Sequence, residues 1–267
     1  MTPEGPATRT STHDGTVLVV EDNDANRILA LRLLERLGYA AAVARNGREA
    51  VEALAQDRYS VVLMDCQMPE MDGLEAARAI RRREAAGGER LPIIAMTASV
   101  TERDRLTCLE AGMDDFIAKP VMIEVLGEVL ARWHPDGARL VHQGTRRERS
   151  GSPSPNAVDR EVLGRLRDDL GPGACGRFLD AFVAELPGRE AAILQAAQDR
   201  SEAALRLAAH TLKSTSAAVG ASALASMSGE LETLGSTESA MEDVARLRAE
   251  CRRVLEALEM ERAGLGA

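Results

Sequence analysis

The chain has 267 residues, enough for two domains that each bury a core, and a formal net charge of -9, which argues against nucleic acid as the main partner because a phosphate backbone would be repelled. Hydrophobic residues make up 45% and charged ones 28%, as in soluble globular proteins, while aromatics are only 2%, so Leu, Val, Ile, Met and Ala have to build the core. Such a core suits helices and a buried parallel sheet better than a β-sandwich. No apolar run is long enough to enter and span a bilayer. The opening MTPEGPATRTSTHDG lacks the apolar stretch of a signal peptide and reads as a disordered tail over residues 1–15. Cys66, Cys108, Cys175 and Cys251 are scattered without metal-ligand spacing, which suits reduced thiols in a cytoplasmic protein; Cys66 and Cys108 read as packing residues.

From Thr16 two kinds of segment alternate. Thr16–Glu21 (TVLVVE) is a short apolar run of the kind a strand buried on both faces shows, and Asn26–Leu37 follows with helical spacing up to Gly38. Strands are then predicted over Ala40–Ala44, Ser60–Met64, Pro92–Met96 and Phe116–Ala118. Their helices are Gly47–Gln56, Gly73–Arg83, Thr101–Ala111 and Met122–Trp133. Five strand–helix units imply a doubly wound α/β domain, a five-stranded parallel sheet with helices on both faces, over residues 16–134.

Residues 135–156 are rich in Gly, Pro, Ser and Arg and read as a flexible linker with a reach of roughly 25 Å. An all-α domain is predicted over 157–262, with a short tail at 263–267. Its helices are Val158–Leu170, Ala174–Gln198, Glu202–Val219, Ser222–Leu234 and Met241–Met260, with Leu186-Pro187-Gly188 expected to bend or interrupt the second. A short first helix followed by a four-helix bundle is the natural architecture.

Ligands of an open parallel sheet bind beyond the carboxyl ends of its strands. Here those ends carry Glu21 and Asp22, Asp65, Thr97, and Lys119 before Pro120. Three carboxylates repel one another unless a cation sits among them, and oxygen ligands suit Mg²⁺. Such a cation and Lys119 would neutralise an arriving phosphoryl group, and a carboxylate can attack phosphorus to give an aspartyl phosphate. Asp114 and Asp115 read as loop solvation.

The segments VLVVEDNDANR, VVLMDCQMPEMDG, PIIAMTAS and AGMDDFIAKPV, in this order and spacing, resemble the receiver domain of two-component response regulators, in particular receivers attached to hybrid histidine kinases. The resemblance implies a flavodoxin-like strand order of 2-1-3-4-5. It implies Asp65 as phosphoacceptor, Asp22 as a direct Mg²⁺ ligand, Glu21 acting through metal-bound water, and the backbone carbonyl of Gln67 as a further ligand. It also implies Thr97 and Lys119 as binders of phosphoryl oxygens, Phe116 as the switch aromatic, and a cis Lys119-Pro120 bond.

In the second half, a wheel drawn on Leu205–Val219 puts Leu205, Ala208, Ala209, Leu212, Ser216 and Val219 on the core stripe. His210 falls away from it with Arg206, Lys213, Ser214 and Ala217, so the imidazole is expected to face solvent. A neutral imidazole is a competent nucleophile, and Lys213 lies on the same face to meet charge placed on the ring. The segment HTLKSTSAAVGA resembles the signature of histidine phosphotransfer (Hpt) domains, with Ser214 where the family usually has glycine. The resemblance implies His210 as the phosphorylated residue.

The expectation is therefore a two-component phosphorelay protein, with phosphoaspartate at Asp65 and phosphohistidine at His210, exchanging phosphate in cis or with partners. A sensor or hybrid histidine kinase would act upstream and a receiver domain or response regulator downstream. With no glycine-rich nucleotide loop, the chain reads as a phosphotransfer intermediate, with Mg²⁺-dependent phosphorylation and dephosphorylation of its receiver, and not as an ATP-using kinase on its own. The alternative is a phosphorylation-controlled adaptor whose helical domain docks a partner without transfer.

Overall fold

The computed structural model describes residues 15–85, 87–98, 102–134, 157–234 and 240–265. The expected linker 135–156 and residues 1–14 of the expected tail lie outside the described residues. Five strands, β1 (Val17–Val20), β2 (Ala41–Ala44), β3 (Val61–Asp65), β4 (Ile93–Thr97) and β5 (Asp115–Ala118), form one parallel sheet in the order β2-β1-β3-β4-β5. They alternate with α1 (Asp24–Arg36), α2 (Gly47–Gln56), α3 (Gly73–Glu84), α4 (Glu102–Glu110) and α5 (Ile123–Trp133).

Sequence chemistry explains this order. The three interior strands read VLVV, VVLMD and IIAMT and are buried at every position, whereas the edge strands AAVA and DFIA are only partly buried. Successive side chains point to opposite faces, so each interior strand feeds two cores. Leu18, Val20, Val62, Met64, Ile93 and Ala95 pack towards α2, α3 and α4. Val17, Val19, Val61, Leu63, Ile94 and Met96 pack towards α1 and α5.

In the sheet domain, side chains that accept a first-turn backbone N–H cap the starts of α1 (Asn23), α2 (Asn46) and α3 (Asp72), the last in a capping box with Glu75. Asp114 belongs to the framework and is not loop solvation. Its side chain is 7% exposed and accepts from Arg81, Arg90 and the Ile93 backbone at 2.6, 2.6 and 2.8 Å. Asp115 likewise accepts from Arg132 and from Trp133 Nε1. Two cations lie within reach of Asp114, and a buried carboxylate so paired persists where an unpaired one would not.

The helical domain comprises α6 (Arg160–Leu170), α7 (Pro172–Gln198), α8 (Glu202–Ala218), α9 (Ser222–Leu234) and α10 (Ala240–Leu265). On α10 the buried residues Val244, Leu247, Cys251, Val254 and Leu258 recur at three- and four-residue steps, forming one apolar stripe. The expected interruption at Pro187 does not occur: α7 runs through it as one helix of 27 residues. A mid-helix proline costs about 3 kcal/mol locally, but Leu186 and Ile193 are buried on either side of it and packing holds both halves in one helix. Helix α10 also continues to Leu265, into the stretch expected to be a tail.

The two domains touch. Helix α1 packs against α7 and α6, with Ile28 and Leu31 against an apolar cluster that runs from the sheet into the bundle. Asn23 Nδ2 donates to Glu185 Oε2 on α7 at 2.8 Å, and Arg36 lies 3.7 Å from Asp169 on α6.

Candidate functional site

The strand ends bring the predicted residues of the first domain together. Asp65 is the last residue of β3 and Thr97 the last of β4; both are buried. Lys119 follows β5, and its backbone N–H donates to the Thr97 carbonyl at 2.7 Å, which ties the two strand ends together. The Lys119-Pro120 bond is cis. Lys119 Nζ lies 2.7 Å from Asp65 Oδ2 and 2.7 Å from Glu21 Oε2. Asp65 Oδ1 accepts from the Gln67 backbone N–H at 3.2 Å. Gly73 opens α3 so close to this strand end that a Cβ there would lie 2.0 Å from the Asp65 carbonyl oxygen, so only glycine fits.

Ligand oxygens of Glu21, Asp22 and Asp65 all lie within 4.8 Å of one another. Burial, then the charge of Glu21, pushes the Asp65 carboxyl well above the ordinary carboxylate range, against the pull of Lys119. Burial and Glu21 raise Asp22 as well. For Lys119, burial works against the charged form, but Asp65 and then Glu21 outweigh it and hold the ammonium charged. One ammonium among three carboxylates leaves negative charge in excess. Asp22 Oδ1 is buried and has no hydrogen-bond partner among the described residues. An all-oxygen donor set with an orphaned carboxylate oxygen fits a hard divalent cation.

Phe116 is half-buried on β5, and the Arg105 guanidinium of α4 stacks over its ring at 5.6 Å. Arg105, like Asn26, whose Nδ2 donates to Glu21 Oε1 at 3.0 Å, was not legible as a site neighbour from the sequence.

In the helical domain the expected exposure of His210 is overturned: the residue is 3% exposed, and Ser214 equally so. A wheel drawn on α8 alone cannot register what neighbouring helices place over its polar face. Glu232 of α9 lies there, with Oε1 2.7 Å from His210 Nδ1 and Oε2 3.0 Å from Lys213 Nζ. Lys213 is where the wheel put it, beside the ring, and its stem lies over Gly229 of α9. Glu232 was missed because no spacing in the sequence links it to a histidine 22 residues away. Burial pushes the Glu232 carboxyl up, but its hydrogen bonds and charge contacts with His210 and Lys213 outweigh that and bring it below the usual value. With Nδ1 engaged, His210 Nε2 is buried and has no hydrogen-bond partner among the described residues.

The family model of the response regulator receiver domain matches residues 17–131, and that of the Hpt domain matches residues 177–261. The chain therefore carries a response regulator receiver domain followed by an Hpt domain. Among its relatives, hybrid signal transduction protein dokA of Dictyostelium discoideum is 45% identical over 117 residues, 44% of this chain and 7% of that protein. Sensor protein GacS of Pseudomonas syringae pv. syringae is 33% identical over 249 residues, 88% of this chain and 27% of that protein. The chain thus spans a minor part of the curated relatives it matches.

Among solved structures, the receiver domain of sensor histidine kinase PA1611 from Pseudomonas aeruginosa PAO1, with a magnesium ion in its active site cleft, is 42% identical. It has a TM-score of 0.42, covering 45% of this chain and 97% of that one. One chain of the co-crystal structure of the Saccharomyces cerevisiae histidine phosphotransfer signaling protein Ypd1 and the receiver domain of its downstream response regulator Ssk1 matches with 31% identity and a TM-score of 0.44, covering 46% of this chain and 90% of that one.

The acidic pocket offers a carboxylate held beside an ammonium, and the helical domain a buried imidazole whose Nδ1 lies against Glu232. Among the described residues, no helix is long and apolar enough to cross a membrane.

Proposed function

We propose that this chain relays phosphoryl groups through Asp65 of the receiver and His210 of the Hpt domain. The observation that carries the reading is the hydrogen bond from His210 Nδ1 to Glu232, which fixes the imidazole with Nε2 as its unengaged nitrogen. In the receiver step, an Asp65 carboxylate oxygen attacks phosphorus of the donor, the donor's bond to phosphorus breaks, and an acyl phosphate forms. Lys119 and Thr97 bind the phosphoryl oxygens. In the Hpt step, Nε2 attacks that phosphorus, the phosphorus–oxygen bond to Asp65 breaks and the carboxylate returns; the reverse sequence transfers phosphate the other way. Lys213, on the same side of α8, meets the added negative charge.

Glu21, Asp22, Asp65 and the Gln67 carbonyl would hold Mg²⁺, which when bound supplies the positive charge that admits an anionic group among three carboxylates. A histidine kinase upstream and a response regulator downstream are the partners this chemistry calls for. Transfer within the chain and transfer with partners are both open to this arrangement, in which the two domains touch through α1, α6 and α7. Asn23, next to the acidic pair Glu21-Asp22, donates to Glu185 of α7, the helix that packs beside α8. His210 is almost fully covered, so a receiver, whether of this chain or of a partner, reaches Nε2 only after rearrangement.

The test is to label the full chain with acetyl [³²P]phosphate and Mg²⁺, alone and with kinase or receiver partners, in wild type, Asp65→Ala and His210→Ala. The relay predicts no label in Asp65→Ala without a partner, and base-stable, acid-labile phosphohistidine only where His210 is present. A chain that is labelled on Asp65 but never yields phosphohistidine with any partner is an adaptor.

The acidic pocket gives a second expected outcome. Asp22→Asn removes one of three clustered carboxylates and is expected to stabilise the metal-free chain by about 1 kcal/mol. The same change loses the rise in melting temperature that Mg²⁺ gives the wild type. Asp22 and Asp65 are both raised above 3.8, so the folded wild type binds more protons than the unfolded chain just above that pH, and their contribution to stability grows as pH falls. Thermal melts across pH with and without Mg²⁺ check this, and the variant should lack the Asp22 share.

A further inference from the structure

Two thiols that lie 42 residues apart in sequence meet directly behind the phosphoacceptor. Cys66 follows Asp65, and its backbone is held on both sides: its N–H donates to the Met96 carbonyl at 3.2 Å and its carbonyl accepts from Gly73 at 3.1 Å. Cys108 lies on α4. The two sulfurs are 3.6 Å apart, in an apolar cluster with Ala76, Ala77 and Ala111. Both thiols are free, and of the four in the chain these are the two in contact. Bonding needs the sulfurs to approach to about 2.05 Å. Closing that gap means moving α4, which packs on the edge strand β5, towards the end of β3.

We propose that Cys66 and Cys108 form a reversible disulfide that ties α4 to the residue after Asp65 and slows phosphate uptake under oxidising conditions. The oxidant is a peroxide. One thiolate attacks a peroxide oxygen, the O–O bond breaks and water leaves, giving a sulfenic acid. The second thiol sulfur then attacks that sulfur, the S–O bond breaks and a second water leaves. Two thiols lose two electrons in all, and one hydrogen peroxide becomes two waters; a dithiol reductant reverses the bond. The tether restrains two parts of the pocket at once. Cys66 carries the Asp65 strand end, and α4 carries Arg105, which stacks over Phe116.

The bond itself is independent of the function proposed above; its effect on uptake rests on the role of Asp65. The experiment treats the full chain with hydrogen peroxide, maps peptides without reduction, and measures labelling from acetyl phosphate before and after dithiothreitol. A cross-linked peptide joining Cys66 and Cys108 is expected, together with an uptake about fivefold or more slower that recovers on reduction. Cys108→Ser should be insensitive to peroxide. Absence of the cross-link overturns the proposal. A cross-linked chain that takes up label as fast as the reduced one overturns the regulatory half. Should even the reduced chain take no label, the role of Asp65 fails, while the cross-linked peptide still decides the disulfide.

Discussion

A Lys119→Met chain is expected to unfold about 3 kcal/mol more easily than the wild type at neutral pH without a divalent cation. In the wild type the ammonium sits 2.7 Å from both Asp65 and Glu21, and none of the three side chains is more than 4% exposed. Methionine keeps much of the apolar stem but leaves two buried carboxylates facing each other, with Asp22 beside them. The loss should shrink towards acid. The Asp65 carboxyl is already pushed up by burial and Glu21, and without the ammonium it rises further. The folded variant then keeps a proton that the unfolded chain has released, so its stability increases as pH falls. Mg²⁺ should recover part of the loss by replacing the missing charge. Phosphate uptake should drop by about a hundredfold or more even with Mg²⁺, because a fixed cation aimed at the transferring group is removed. Chemical denaturation at several pH values and acetyl phosphate labelling check both parts. A variant as stable as the wild type at neutral pH would show that the carboxylates are not ionised together.

Glu232→Ala is the second large effect. One carboxylate holds both His210 and Lys213, and hydrogen bonds to charged groups are worth about 1.5–3 kcal/mol. Phosphoryl exchange at His210 is therefore expected to slow by about tenfold to a hundredfold, since the imidazole loses the acceptor that sets its tautomer and orientation. Labelling of Asp65 from acetyl phosphate should be unaffected, which separates this variant from Lys119→Met. The Glu232 carboxyl lies below its ordinary 4.5 in the folded chain. Its contribution to stability is thus complete above that value and fades as pH falls through the lowered one. Rapid-quench transfer between phosphorylated receiver and His210, compared across the two proteins, gives the ratio directly. A ratio near one would mean that Glu232 only packs.

The strands were legible because each interior strand is a short apolar run and the strand–helix alternation allows few topologies. VLVV, VVLMD and IIAMT are buried on both faces, and their ends lead to Glu21 and Asp22, Asp65 and Thr97. Lys119 was placed by the same rule, from the end of a weaker strand. The helical half was legible as helices, but only in part as a site. A wheel sorts the residues of one helix against an assumed core and contains no neighbours, so it put His210 and Ser214 in solvent, where the bundle covers them. Pro187 was expected to bend or interrupt α7, and of these the interruption did not follow, because a local rule was outweighed by packing along the 27 residues of the helix.

Which residue types stand at the strand ends, and therefore that this chain gathers carboxylates around one lysine, was determined by the sequence alone, since strand periodicity fixes where each run ends. The tertiary structure decided which groups face one another across helices: Glu232 against His210, Cys66 against Cys108, and Asn23 against Glu185. Those pairs lie 22, 42 and 162 residues apart, and no local periodicity encodes contacts that only the packing of separate elements creates.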